Sequence, residues 1–429
     1  MEGLNIQRTP SAGVVLPHYI FGALSFLALS LMIVFSTDTF SGHYFHPKLL
    51  SITHTAVLGW GSMIIFGALY QLLPVILETP LYSELLARIT FWLFAAGIIC
   101  LAFSFWKFYV GIHIQIASCL IVLAFSLFTF NIIRTAKSAV KWTIEADFIT
   151  TSSLWLLTTG ILGLLMAFNF QYAFLPKSHL LFLKIHAHLG IAGWFILLIM
   201  GVTSKLVPMF LLTHHLNVKK LSYAYYLVNL GLIIFTIDLF FNEISKLAPI
   251  YALTIVSGIL CFLSFIYEAY RKRARKQLDI GLRHTFIAFA IFFLPVFIGV
   301  YLSFKSSENS QIYLVYGSSI FLGFITSLIL GQTFKTLPFI VWLHKYRKLV
   351  GKQKTPLPKD LYSEKLAQVQ LIIYLSAMLF LLSGIFFNIS SLIRLGSVLL
   401  FLTAILYNMN VFKIMFINAV IKNLNEGVV

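Results

Sequence analysis

HTAVLGWGSMIIFGALYQLLP, residues 54–74, carries no charged side chain and is long enough, at 1.5 Å of helix rise per residue, to cross the hydrocarbon layer of a bilayer. The same pattern returns as HLGIAGWFILLIMGVTSKLVP at 188–208 and as SSIFLGFITSLILGQTFKTLP at 318–338. Each copy begins twenty residues before its proline. Gly59-Trp60, Gly193-Trp194 and Gly323-Phe324 coincide, as do Gly67, Gly201 and Gly331. The spacing between copies is 134 and then 130 residues, so the chain reads as three repeats, approximately 12–145, 146–280 and 281–420. Small residues at matched positions let helix backbones approach closely, or leave room for a flat, bulky group between them.

Working outward, apolar runs of spanning length fall at 17–35, 49–74, 87–105, 112–133, 148–170 and 180–212, then at 223–241, 250–269, 286–304, 312–343, 369–387 and 393–416. Four spans per repeat predict an all-α polytopic membrane protein of twelve transmembrane helices with pseudo-threefold symmetry. Composition agrees: 59% of the 429 residues are hydrophobic, only 10% are charged, and the mean hydropathy is +0.92. The chain is expected to be a single membrane domain, with no cleavable leader before the first span.

A formal charge of +17 raises the question of nucleic acid, but the basic residues lie in short loops between apolar runs instead of on a folded polar module. With the N terminus inside, the loop lysines and arginines divide roughly three to one in favour of the cytoplasmic face. Both termini are therefore expected in the cytoplasm, with the protein in a bacterial inner membrane. The run RKRARK at 271–276 and the loop from Lys345 to Lys365 become inner-surface features, solvated or facing lipid headgroups. Cys100, Cys119 and Cys261 fall inside apolar stretches without metal-type spacing and read as small core residues.

Ionisable side chains inside a span are functional candidates. His54 opens the first copy of the motif, and His186 and His188 stand at the start of the second. A neutral imidazole ligates iron or copper through one nitrogen and hydrogen-bonds through the other. Residues two apart on a helix point about 200° apart, so His186 and His188 are expected to serve different spaces. An isolated histidine near a helix end is more often a satisfied interfacial residue, which is the reading taken for His43, His46, His113 and His179, and more firmly for His18, His214, His215, His284 and His344. Of these, His43 and His46 lie near enough in sequence to contribute to a site at His54. Lys205 and Lys335 occupy matched positions, with Gln71 in the remaining copy, and snorkelling is their default role. Asp238, an intramembrane carboxylate, either serves a proton route or caps a helix.

Taken together, HTAVLGWGSMIIFGALYQLLP from His54, HAHLGIAGW from His186 and the twelve-span plan in three arcs resemble the catalytic subunit of the heme-copper oxidase superfamily, which includes oxygen and nitric oxide reductases. The chain also looks like the NnrS group, membrane proteins with heme and copper linked to nitric oxide stress. In the oxidase family a His-X-His pair followed by Gly-Trp carries heme axial ligands near the outer face. The resemblance implies a b-type heme, with His54 and His186 as its two ligands. It assigns His188 to a second heme, to copper, or to a hydrogen bond. The family places its His-X-His pair on the tenth span, where this chain has Tyr316 and Ser318, and two adjacent histidines on the seventh, where 223–241 has none. Oxygen reduction at a complete heme-copper centre is accordingly not expected. The implied roles are membrane electron transfer or nitric oxide handling, with electrons from quinol or a separate redox protein, since no CxxCH motif is present. The rivals are a metal- or proton-linked transporter or channel, and a noncatalytic sensor or assembly protein on the same fold.

Overall fold

The computed structural model describes residues 9–242, 245–305, 307, 309–416 and 422–423. Among them are twelve helices long and apolar enough to cross a membrane. They are α1 (Ala12–Val34), α2 (Pro47–Ile76), α3 (Glu84–Lys107), α4 (Ile112–Lys137), α5 (Ile144–Tyr172) and α6 (His179–Leu211), followed by α7 (Lys219–Phe241), α8 (Ala248–Arg271), α9 (Ile280–Phe304), α10 (Ser310–Lys345), α11 (Glu364–Phe386) and α12 (Ser390–Phe416). The chain is thus an all-α polytopic membrane protein. Most helices start a few residues before the apolar run, because polar caps satisfy the first backbone N–H groups. Ser83, Ser178 and Ser363 accept from the N–H groups of Leu86, Leu181 and Leu366. Left-handed residues end three of them: Phe108 after α3, Ala173 after α5 and Leu212 after α6.

The helices gather into two compact units. One comprises Leu69–Gln277 with the second half of α9, and the other comprises Ser11–Ala68, Leu278–Pro295 and the chain from Asn309 onward. These boundaries run through α2 and α9 and do not follow the repeat boundaries read from the sequence. The second unit also contains the only strand pairing described, in which Gln353–Lys354 lies antiparallel to Lys422–Asn423.

Three helices are not regular. In α2, α6 and α10 the backbone widens to a π-helix over Thr55–Ser62, Leu189–Ile196 and Ser319–Ile325. Each segment begins at the residue after the aligned position, His54, His188 or Ser318. A π turn misaligns the backbone ladder and leaves carbonyls to be satisfied from outside, a device common near functional sites. In α10 the Thr326 hydroxyl donates to the Phe321 carbonyl at 2.8 Å, five residues back. The Tyr374 hydroxyl on α11 donates to the carbonyls of Leu322 and Gly323. Trp60, inside the α2 segment, donates its Nε1–H to Thr326 Oγ1 at 3.0 Å. The same indole stacks on Phe26 with ring centroids 4.5 Å apart and meets the Tyr407 ring edge-on at 5.2 Å, which fills the centre of the second unit with aromatic groups. In the first unit Trp194 lies edge-on to Phe128, and Gly193 lets Trp155 close over α6 while its indole donates to Asn229.

The three aligned glycines mark close crossings. A methyl group on Gly67, Gly201 or Gly331 would lie 2.6, 2.5 or 2.4 Å from the Cβ of His18, Phe148 or His284 respectively. Each of those partners belongs to the first span of its own repeat. Gly317, by contrast, has nothing within 4 Å of such a methyl. Gly331→Ala is therefore expected to cost about 1–3 kcal/mol by forcing α9 and α10 apart, while Gly317→Ala changes stability by less than about 0.5 kcal/mol. Thermal unfolding of the two variants in the same detergent checks the contrast.

Candidate cofactor site

His54 lies in the second unit, on the last turn of ordinary helix before the α2 π segment, and is half-buried. His186 and His188 belong to the first unit and are also half-buried. All three rings share one hydrogen-bonding habit. His54 Nδ1 lies 2.8 Å from the Leu50 carbonyl, His188 Nδ1 lies 2.9 Å from the Lys184 carbonyl, and His186 Nδ1 lies 3.0 Å from the Thr159 carbonyl on α5. A carbonyl only accepts, so Nδ1 carries the proton in each neutral ring and the lone pair is on Nε2. That is the tautomer in which an imidazole ligates a metal through Nε2 while a backbone carbonyl fixes its orientation.

The two histidines of α6 face different helices. His186 turns toward α5, where Gly163 makes room for it: a methyl there would fall 2.9 Å from the ring Cε1. His188 sits beside Phe235 of α7, ring centroids 5.2 Å apart. Behind it runs an apolar cluster containing Met166, Phe182, Leu189, Phe235 and Tyr251. Asp238 is buried, and its Oδ1 accepts from the Asn242 side chain at 2.9 Å, which ties down the C-terminal end of α7. Its Oδ2 is buried without a hydrogen-bond partner among the described residues.

His43 and His46 behave oppositely to His54. Each uses Nδ1 as an acceptor, from the Phe45 N–H at 3.0 Å and the Lys48 N–H at 3.3 Å, so the proton of the neutral ring is on Nε2. His46 caps α2, and His43 stacks on Tyr44. Their chemistry is that of turn formation, and they bring no ready lone pair to a site at His54.

Two further histidines differ from the interfacial role expected of them. His18 and His284 are completely buried, each against its aligned glycine. Phe148 takes the corresponding place against Gly201 in the remaining repeat. Lys335 also has a role beyond snorkelling. It forms an ion pair with Asp279, whose Oδ1 accepts from the Leu282 N–H and so caps α9. Lys335→Met is expected to lower stability by about 1–3 kcal/mol, the range for a hydrogen bond to a charged group. Asp279→Asn added to that variant should cost little more, since the two substitutions remove the same interaction. Chemical unfolding of the single and double variants measures the coupling.

Among the described residues no three His, Cys, Asp or Glu side chains converge on one point. By fold the chain belongs to the class of twelve-span α-helical membrane proteins. No protein-family model matches it, and no curated protein matches it either.

Proposed function

We propose that this chain is a heme-binding integral membrane protein, acting in electron transfer or nitric oxide handling, with His54 and His186 each a candidate ligand of a b-type heme. The observation that carries the reading is the shared tautomer of His54, His186 and His188: each has Nδ1–H committed to a backbone carbonyl and its Nε2 lone pair on the side away from that bond. When bound, a heme supplies one-electron chemistry, and with an open coordination position it also binds a small gas. The chain's own contribution is orientation. The Leu50 and Thr159 carbonyls fix the ring planes, and Gly163 accommodates the His186 imidazole.

His188 takes a second role in this proposal, as a ligand in a neighbouring space for another heme or a copper ion, or as a hydrogen-bond donor. The pseudo-threefold arrangement is part of the same reading. Its support is the recurrence of a π segment immediately after His54, His188 and Ser318, and of a glycine pressed on the first span of each repeat. Cytoplasmic termini in a bacterial inner membrane, and a quinol or redox-protein donor, complete it.

The deciding measurement is the pyridine hemochrome spectrum, with iron and copper analysis, of the protein purified in mild detergent. A b-type spectrum with about one or two irons per chain is expected. Colourless, metal-free protein in good yield overturns the proposal and leaves the transporter reading, for which flux in vesicles is the assay.

A further inference from the structure

His284 is wholly buried in the second unit, and neither of its ring nitrogens has a hydrogen-bond partner among the described residues. The neighbouring groups do not supply one. Ser327 donates its hydroxyl to the backbone carbonyl of His284 at 3.1 Å, and Thr285 donates to the Gly281 carbonyl at 2.9 Å. Tyr374, whose ring lies 6.3 Å from the imidazole, has its hydroxyl proton committed to the π-segment carbonyls of α10. One helical turn before Tyr374, on the same face of α11, Gln370 is equally buried, and both ends of its carboxamide lack a partner. Gln332, next in sequence to the glycine that packs on His284, binds Thr285 Oγ1 through Nε2 at 2.7 Å and leaves Oε1 unpaired. Five unpaired buried polar atoms thus belong to side chains of α9, α10 and α11, with Tyr374 linking the His284 ring to the face of α11 that carries Gln370.

Leaving such groups without a partner is unfavourable. The chemistry of the five selects what fills the gap. A neutral imidazole presents one donor and one acceptor, the Gln370 amide presents both, and Gln332 presents an acceptor. A cation satisfies only the acceptors. An anion satisfies only the donors, and an apolar ligand satisfies nothing. Water alone donates and accepts at once, and it occupies protein interiors where about three polar partners converge.

We infer that His284, Gln370 and Gln332 enclose a cluster of internal water molecules between α9, α10 and α11. The inference does not depend on heme. Its test is X-ray radiolytic labelling of the full-length protein in H2(18)O, read by mass spectrometry. Tyr374 is compared with Tyr407, an equally buried tyrosine whose hydroxyl is paired with Thr333 and whose ring is enclosed by Phe26, Trp60 and Phe334. Bound water next to Tyr374 should raise its incorporation of 18O about tenfold over Tyr407. The His284→Phe, Gln370→Met double variant should bring the two tyrosines to the same level. Equal labelling in the wild-type protein overturns the inference, and it is also the outcome if His284 and Gln370 simply bond to each other.

Discussion

His54→Ala and His186→Ala, made singly, are each expected to leave the purified protein with less than about a tenth of its b-type heme, read as pyridine hemochrome per mole of chain. A noncovalent heme would lose an imidazole ligand with either substitution, and alanine offers nothing in return. His46→Ala serves as the control. Its Nδ1 is committed to the Lys48 N–H, so the variant should keep its heme while losing about 1 kcal/mol of helix capping. Gly163→Ala gives an intermediate result, because the new methyl presses on the His186 ring without removing its nitrogen. Full heme retention in both alanine variants, with the fold intact, refutes these ligand assignments whatever the wild-type spectrum shows.

Trp60→Ala is expected to produce the largest loss of stability, about 3–5 kcal/mol. The indole is 1% exposed, stacks on Phe26, abuts Tyr407 and donates to Thr326, so alanine opens a cavity and strands an acceptor in the middle of the second unit. Trp60→Phe should recover most of the packing term and leave only the lost hydrogen bond, about 1 kcal/mol. Denaturant midpoints of the two variants separate volume from hydrogen bonding. If the alanine variant unfolds within about 1 kcal/mol of wild type, the aromatic centre is not what holds α1, α2, α10 and α12 together.

The spans were legible because lipid imposes a simple demand on composition over about twenty residues. Their ends were less so. α9 begins at Ile280, six residues before its apolar run, since Asp279 caps it and the intervening Arg283 and His284 are polar enough to mask the start. The α2, α6 and α10 π segments left no trace in hydropathy, although the repeated Gly-Trp and Gly-Phe steps sit inside them. Long-range partners were invisible for a different reason. Lys335 and Asp279 are 56 residues apart, and nothing local in either stretch announces the other. His54, His186 and His188 stood out through depth and repetition. His18 and His284 were passed over because a histidine near a helix end usually reaches water, and only the glycine crossing reveals that these two do not.

The widened turns also act as angular adjusters. A π insertion holds one surplus residue, so excising a single amino acid from 189–196 would let α6 close into an ordinary spiral. The flanks would keep nearly their present angular relation, because the widened segment winds about as far as an ordinary helix one residue shorter. Both imidazoles of that helix would keep their neighbours, and Gly201 its seat on Phe148. The same deletion placed in the regular helix below the widened segment has no slack to absorb it, and would re-aim the histidines by about 100° against the lower helix.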